Sequence, residues 1–275
     1  MEILRYAAFT TDPAGGNPAG VVLDATGLDD AEMQRIAAEV GYSETAFLFP
    51  AMAIPAIRYF SPLAEVPFCG HATIATAVAA GPGRLRLESS VGPIDVTIAD
   101  GAATLRSVPP ATKDIPADLV AELLAALRWD AADLDPALPV RAAYAGAWHP
   151  IVAAATRGRL AALDYDEPAL GALMAKHDWT TIDLVWRESP TEFHARNPFP
   201  PGGVYEDPAT GAAAAAFGGY LRELGLVEVP ATVRIHQGHD MGRPSLVTVG
   251  LDADPGTGVA VTGHAVRLPR PGPVA

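Results

Sequence analysis

The chain has 275 residues, 49% of them hydrophobic and 19% charged, so it is long and apolar enough to bury a substantial core. Its net charge of −13, without a dense run of Lys or Arg, argues against a nucleic-acid partner or an anionic membrane. Its single cysteine, Cys69, excludes an intramolecular disulfide, which fits a reducing compartment. Residues 1–6 lack the basic and apolar regions of a secretory signal, and no apolar run is long enough to span a bilayer. We therefore expect a soluble, cytoplasmic protein.

The first part of the chain predicts strands around two helices. The expected strands are residues 3–9, 18–23, 46–49, 54–60, 84–90, 93–99 and 103–108. An aspartate at position 29 or 30 should cap an amphipathic helix, which Gly41 should end in a left-handed conformation. A second, alanine-rich helix is expected to open at the Cys-Gly-His sequence of residues 69–71 and to end at about Ala80.

The second part begins with a proline-rich stretch, 109–116, which predicts a linker, and a helix is expected at 117–128. The Asn-Pro-Phe-Pro-Pro-Gly-Gly sequence at 197–203 predicts a loop. Asp207 followed by Pro208 predicts the N-cap and first turn of a small-residue helix that reaches about Leu224. Strands are expected near 231–236, 245–250 and 258–266, and the tail after Leu268 is expected to be loose.

Both parts repeat one pattern: strands, a glycine-containing loop, an alanine-rich helix, then more strands. The loop and helix start are Gly-His-Ala-Thr at 70–73 in the first part and Asp-Pro-Ala-Thr-Gly at 207–211 in the second. The pattern predicts an internal duplication with halves at 1–112 and 113–275, and the C-terminal strand could return to the first half. The start of each central helix could bind an anion at a shared cleft.

Asp207 and His71 are candidate functional residues because each lies at a predicted helix start. Asp207 could serve only as a cap, or it could also bind a substrate amine or relay a proton. A helix N-terminus favours a neutral imidazole at His71, which could then donate or accept a proton. Alternatively, His71 is a loop histidine that bonds to a backbone carbonyl.

Glu44 lies at the start of a predicted strand with apolar residues beside it. If these bury the carboxyl, its pKa rises and it becomes suited to general acid–base chemistry. The alternative is an exposed glutamate on an edge strand. Cys69 could be a reactive thiol at a helix start, although residues two apart rarely face each other, so we do not expect it to pair with His71.

No metal or cofactor site is predicted. The seven histidines are scattered, and His236 and His239 have no cysteine partner nearby. The sequence has no phosphate-binding loop of the Walker type, and no G-x-G-x-x-G follows a strand and opens a helix.

Six short motifs in order resemble the PhzF-like isomerase family over residues 1–266. They are Asn-Pro-Ala-Gly-Val at 17–21, Ser-Glu-Thr-Ala-Phe at 43–47, Arg-Tyr-Phe-Ser-Pro at 58–62, Cys-Gly-His-Ala-Thr at 69–73, Glu-Asp-Pro-Ala-Thr-Gly at 206–211 and Gln-Gly-His-Asp-Met-Gly-Arg-Pro-Ser at 237–245. The resemblance implies an α/β fold like that of diaminopimelate epimerase, in which two pseudo-symmetric halves each wrap a curved, mostly antiparallel sheet around a central helix. It also implies a homodimer and cofactor-free proton transfer on a small carboxylate-bearing substrate.

The same resemblance assigns the site. The family's catalytic glutamate falls on Glu44, and its cleft histidine and aspartate fall on His71 and Asp207. The expected substrate-lining residues are Asn17, Ser43, Gly70, Thr210, Gly211 and Ala212. The pattern that the phenazine enzymes resemble has a serine at the position of Ala212. This chain therefore lacks one hydroxyl contact to an anionic substrate, which is worth about 0.5–1.5 kcal/mol.

We therefore expect an isomerase in which Glu44 moves a proton between two carbons. Two other functions stay open. One is an epimerase or racemase of an amino-acid-like compound, and the other is a non-catalytic protein that binds a small ligand.

Overall fold

The computed structural model describes residues 1–269 as 17 strands, six α-helices and three short 3-10 helices. The chain forms two compact units. The first comprises residues 1–106 and 262–269, and the second comprises residues 107–261. No helix within the described part of the chain is long and apolar enough to cross a membrane.

The first unit contains two helices and eight strands of its own, and the last strand of the chain joins them. In chain order these are β1 (Leu4–Ala8), β2 (Asn17–Val22), α1 (Asp30–Val40), β3 (Glu44–Phe49), β4 (Ala56–Phe60), β5 (Glu65–Val66), α2 (Gly70–Ala80), β6 (Gly83–Ser89), β7 (Gly92–Ala99), β8 (Ala102–Arg106) and β17 (Ala260–Arg267). The strand β17 pairs antiparallel with β1 at residues 265–267. The return of the C-terminal strand therefore completes the first unit.

The second unit contains four helices and eight strands. They are β9 (Ala111–Asp114), α3 (Ala117–Leu127), β10 (Arg141–Tyr144), β11 (Trp148–Ala153), α4 (Arg157–Ala161), α5 (Glu167–His177), β12 (Asp183–Arg187), β13 (Glu192–Phe199), β14 (Val204–Asp207), α6 (Gly211–Glu223), β15 (Ala231–Gln237) and β16 (Ser245–Leu251). The short 3-10 helices are Ala131–Asp133, Pro200–Gly202 and His239–Met241.

Strand pairing follows the same order in both units. In the first unit β1–β2 is antiparallel, β2–β3 parallel, β3–β4 and β4–β5 antiparallel, β4–β6 parallel and β6–β7 antiparallel. In the second unit β10–β11, β11–β12, β12–β13, β13–β14, β13–β15 and β15–β16 have the same orientations in the same order. The internal duplication expected from the sequence is thus present in the pairing of the strands, and the mixed α/β fold class is confirmed.

Each unit has one buried helix against which its strands pack. The helix α2 is buried at every residue from His71 to Ala77, and α6 from Ala213 to Leu221. The helix α2 packs on β1, β2, β3, β7 and β8, and α6 on β9, β10, β11 and β16. Because both helices are made mostly of small or apolar residues on all sides, they can be enclosed by sheet without burying unpaired charge.

The helix predicted after residue 29 forms as expected. Asp29 is its N-cap and completes a capping box with Glu32, whose side chain accepts from the Asp29 backbone. Gly41 ends the helix with φ of 72°, and its N–H donates to the carbonyl of Ala37.

Three local predictions are wrong, each because a strand partner outweighs the turn-forming residues. The expected linker contains β9, which pairs with β10. The expected loop at 197–203 begins inside β13, whose residues 197–199 pair with β14. Asp207 is held extended by pairing with Asn197, so α6 starts at Gly211 with Thr210 at the N-cap position, and Asp207 is not a helix cap. Of the tail expected to be loose, residues 270–275 lie outside the described residues.

Candidate active site

Three chemically reactive side chains converge in the first unit. The carboxyl Oε2 of Glu44 lies 3.3 Å from Nε2 of His71 and 3.6 Å from Sγ of Cys69. The thiol sulfur lies 3.3 Å from Nδ1 and 3.8 Å from Nε2 of the same imidazole. We call Glu44, Cys69 and His71 the Glu–Cys–His cluster.

Glu44 is the first residue of β3, and its neighbours on both sides explain why it is sheltered. The strand β3 pairs with β2 on one side, where Ala19 faces Glu44, and with β4 on the other. The Glu44 side chain is only 17% exposed. The alternative of an exposed edge-strand glutamate is therefore wrong.

Cys69 meets His71 because Cys69 precedes the helix. Its backbone is extended, with φ of −143° and ψ of 113°, and its sulfur accepts from the backbone N–H of Ala72 as an N-cap. This contact turns the thiol back over the first helical turn, where the His71 ring also lies. The expectation that Cys69 and His71 do not face each other is wrong, because helical spacing does not apply to a residue in the cap position.

A buried hydrogen-bond chain supports the cap. The Thr73 hydroxyl donates to the carbonyl of Cys69 at 2.7 Å, and the Tyr59 hydroxyl lies 2.6 Å from the same Thr73 oxygen. Since the Thr73 hydrogen is directed to the carbonyl, Tyr59 is the donor in the second bond. Burial raises the pKa of Tyr59, which keeps its proton in place. Tyr59 and Thr73 were not site candidates from sequence, although they lie in the motifs at 58–62 and 69–73.

His71 is the second residue of α2, not a loop residue bonded to a carbonyl. Its side chain is 8% exposed, and beside the cluster contacts its Nε2 lies 3.5 Å from the hydroxyl of Ser43. Of the other predicted residues in this unit, Gly70 opens α2 half-buried and Asn17 opens β2 almost fully buried. The structure therefore brings Glu44, Ser43 and His71 together within the first unit.

Asp207 and Thr210 form a second hydrogen-bonded turn, within the second unit. The Thr210 hydroxyl donates to Oδ2 of Asp207 at 2.6 Å. Gln237 fixes this turn: its side-chain amide donates to the Asp207 carbonyl at 2.7 Å, and its Oε1 accepts from the Thr210 N–H at 3.0 Å. Gln237 opens the motif at 237–245, but the sequence alone predicted no role for its side chain. Gly211 and Ala212 follow, half-buried, in the first turn of α6.

A buried ion pair lies directly before Asp207. Arg196 on β13 donates from Nε to Oε2 of Glu206 at 2.8 Å and from Nη2 to the other carboxylate oxygen, so the pairing is bidentate. Its remaining Nη1 donates to the carbonyl of Ala161. This pair fixes the last strand before the Asp207 turn.

A chain of buried polar groups lies beside the same strand. His149 contacts the Thr181 hydroxyl at 2.8 Å, Thr181 donates to Asn197, and Asn197 donates to Asp183 at 3.0 Å. Burial raises the pKa of Asp183 to about 7, against the opposing effect of the Asn197 bond. Burial also lowers the pKa of His149 to about 4. Neither group was a site candidate from sequence.

The chain resembles known proteins in both sequence and structure. The family model described as phenazine biosynthesis-like protein matches residues 6–270. A trans-2,3-dihydro-3-hydroxyanthranilate isomerase of Pseudomonas chlororaphis is 34% identical, with 96% of this chain and 95% of the relative covered. An uncharacterized isomerase of Mesorhizobium japonicum is also 34% identical, with 96% of each chain covered. The crystal structure of a PhzF-family phenazine biosynthesis protein from Bacillus anthracis matches with a TM-score of 0.88 and 27% identity over 98% of each chain.

The repeated mixed fold and the relatives' names together define an enzyme of the isomerase class. Within that class, the chain belongs to the phenazine biosynthesis-like (PhzF) family. The resemblance drawn from the six sequence motifs is therefore confirmed.

Proposed function

We propose that this isomerase moves a proton on a small carboxylate-bearing metabolite without a cofactor, with Glu44 as the general acid and base. The observation that carries the proposal is the position of the Glu44 carboxyl. The carboxyl is mostly buried but still partly accessible to solvent, and it lies 3.3 Å from the imidazole of His71. General bases need this combination of access to substrate and a partner that can fix their orientation and proton.

The proposed reaction is an internal proton transfer. Glu44 removes a proton from an acidic carbon, and the electron pair left behind delocalises into the neighbouring π-system of the substrate. The protonated carboxyl then returns the proton to another carbon, so the molecular formula is unchanged. His71 orients the Glu44 carboxyl, and backbone N–H groups in the first turn of α2 offer donors to a substrate carboxylate.

The substrate class rests on the relatives. The Pseudomonas relative is named for trans-2,3-dihydro-3-hydroxyanthranilate, a ring compound with a carboxylate, an amine and a hydroxyl. The pattern of the phenazine enzymes has a serine where this chain has Ala212. We therefore propose that the substrate is a carboxylate related to the named compound, and we use that compound as the first probe. Asp207 is proposed as a second contributor to proton transfer, and Asn17, Ser43, Gly70, Thr210, Gly211 and Ala212 as substrate-binding positions.

The proposal is tested by incubating the protein with a panel of cyclic and aliphatic carboxylates in deuterated water and recording proton NMR spectra. The expected result is conversion of at least one compound to an isomer with the double bond moved. A product that keeps the substrate's own proton would indicate that Glu44 returns the proton it removed. Deuterium from the solvent at an inverted stereocentre would indicate the alternative epimerase. Binding of carboxylates without turnover of any panel member would contradict the proposal and favour the non-catalytic alternative.

A homodimer and a cytoplasmic location belong to the same proposal. Family resemblance supports the homodimer, and the single cysteine supports a reducing compartment such as the cytoplasm. Sedimentation equilibrium tests the dimer: a mass near twice the 28.5 kDa chain is expected, and a single-chain mass at micromolar concentration would contradict it.

A further inference from the structure

The Glu–Cys–His cluster offers three different metal-binding atoms at one point. The carboxylate oxygen, the sulfur and an imidazole nitrogen all lie within 4.8 Å of one another. Oxygen, nitrogen and sulfur donors are the set that Zn²⁺ takes in proteins. Sequence spacing does not reveal this site, because Glu44 is far from the other two residues along the chain and comes beside them only through the packing of β3 against α2.

The donor separations match a tetrahedral ion. A zinc ion with bonds of about 2.0 Å to nitrogen and oxygen and about 2.3 Å to sulfur needs donor separations of about 3.3–3.6 Å. The observed separations are 3.3 Å for Oε2 to Nε2, 3.6 Å for Oε2 to Sγ, and 3.8 Å for Nε2 to Sγ. The sulfur lies 3.3 Å from Nδ1, closer than to Nε2, so the imidazole must also rotate to direct Nε2 at the shared ion.

The surroundings favour binding of a soft divalent ion. Cys69 and His71 are more than nine-tenths buried, which limits competition from water, while Glu44 keeps the edge of the cluster accessible. The cap geometry of Cys69 fixes the sulfur before any ion arrives, and the first turn of α2 holds the His71 backbone beside it. Such preorganisation reduces the ordering cost of binding.

We propose that Glu44, Cys69 and His71 bind one Zn²⁺ through Oε2, Sγ and Nε2, and that the fourth position is left to water or a substrate carboxylate. Binding releases the thiol proton to solvent, because the thiolate is the ligand. This inference rests on the proposed function in one respect: an ion on Glu44 occupies the base, so Zn²⁺ inhibits turnover reversibly. Metal binding itself does not depend on that role.

Cobalt provides a direct test of binding, because a Co²⁺–thiolate bond gives a charge-transfer band and tetrahedral Co²⁺ gives intense visible bands. Cys69 is the only cysteine in the chain, so a thiolate band identifies this residue. The full-length protein, stripped with a chelator and kept reduced, is titrated with Co²⁺ and then with Zn²⁺. We expect the bands to saturate at one Co²⁺ per chain and to disappear as Zn²⁺ displaces it.

Two variants make the test specific. Cys69→Ser keeps an N-cap oxygen for the Ala72 N–H while removing the thiolate, so the helix should form but the charge-transfer band should vanish and Zn²⁺ affinity should fall at least about tenfold. His239→Ala is the control, since His239 belongs to a separate group of rings with His194 and His236 in the second unit. Its titration should match the wild type.

The outcomes separate the two proposals. A folded wild-type protein without a thiolate band, or a Cys69→Ser variant that binds Zn²⁺ as tightly as the wild type, would overturn the metal site whatever the activity. If the band appears and a turned-over carboxylate is known, Zn²⁺ should inhibit turnover over the concentration range in which it displaces Co²⁺, and a chelator should restore it. A bound ion without inhibition would leave the site standing and remove its regulatory role.

Discussion

Asp183 is a fully buried carboxyl whose protonation depends on the fold. Its pKa is raised to about 7 in the folded chain from an ordinary value of 3.8, because burial disfavours the carboxylate. The folded state thus favours the protonated form, so this contribution to stability is complete below pH 4 and is lost as the pH rises to about 7. His149, with its pKa lowered from 6.5 to about 4, has the opposite sign and loses its contribution as the pH falls through that window.

The Asp183→Asn variant isolates the first effect. Its amide can still accept from Asn197 but cannot ionise. Relative to the wild type, its free energy of unfolding should therefore rise between pH 4 and pH 7, by on the order of 2–4 kcal/mol in total. Urea unfolding at several pH values measures this difference.

A control removes an exposed carboxyl instead. Asp95 has a side chain that is 73% exposed beside Arg86, and its Asp95→Asn variant should show no comparable pH-dependent difference. If the difference in free energy of unfolding between Asp183→Asn and the wild type did not change with pH, the raised pKa of Asp183 would be contradicted.

At the residue scale, sequence reasoning identified Glu44 and His71 but not their contact with Cys69. The first two follow from motif positions at a strand start and a helix start. The third follows from the extended backbone of Cys69, which no spacing rule describes. Asp183 was missed for a related reason: a lone aspartate in an apolar segment does not reveal that Asn197 lies beside it on the neighbouring strand.

The central helix α6 shows how glycine sets the spacing between a helix and a sheet. A Cβ at Gly218 would lie 2.6 Å from Cγ1 of Val249 and 3.0 Å from Cδ2 of Leu251. Both neighbours are buried strand residues of β16, so neither can move away freely. The glycine therefore permits a close approach that alanine would prevent.

We expect Gly218→Ala to lower the free energy of unfolding by about 1–3 kcal/mol, because overpacking outweighs the better helix propensity of alanine. Chemical denaturation measures the effect. Gly158→Ala in α4 is a matched control, since the nearest atom to its Cβ would be 4.0 Å away. That control should be neutral or stabilising by up to about 1 kcal/mol, and an equally stable Gly218→Ala protein would refute the packing argument.

At the element scale, the sequence predicted helices better than proline-containing strands. The helix α1 carries its own capping box and C-terminal glycine, so its ends are encoded locally. The segments at 111–114 and 197–199 are strands only because β10 and β14 provide partners. Pro198 is accommodated where the register with β14 shifts, a feature that depends on the partner strand.

The whole molecule repeats one order of strand pairing in two units, and the repeat aligns functionally different residues. Glu44 opens β3 and Asp183 opens β12, so equivalent strands begin with a carboxyl in both units. The carboxyl of Glu44 is partly accessible beside His71, while that of Asp183 is fully buried beside Asn197. The alanine-rich helices made this repeat visible in the sequence, whereas the parallel and antiparallel pairings were not predictable from local patterns.

The first unit depends on the last strand of the chain. The N–H of Phe9 donates to the carbonyl of His264 at 2.6 Å, and the Phe9 ring packs where a side chain at Gly263 would lie. Deleting residues 262–275 should therefore expose Phe9 and the edge of β1, and lower the stability of the first unit by at least about 2 kcal/mol.

Urea unfolding, followed by circular dichroism, tests this deletion. Arg267→Ala is the control, because it removes only an ion pair with Glu2 in which both side chains are more than half exposed. Its effect should be below about 1 kcal/mol. A deletion variant that unfolds at the wild-type urea concentration would show that the first unit does not need the returning strand.

The turnover of Glu44→Gln most directly tests the claim that Glu44 transfers the proton. Glutamine keeps the size of the side chain but cannot take up a proton, so kcat on a turned-over carboxylate should fall at least about 100-fold while ligand-induced thermal stabilisation persists. Glu39→Gln, which alters an exposed glutamate paired with Arg35, should retain wild-type kcat. A folded Glu44→Gln protein with wild-type kcat would contradict the account.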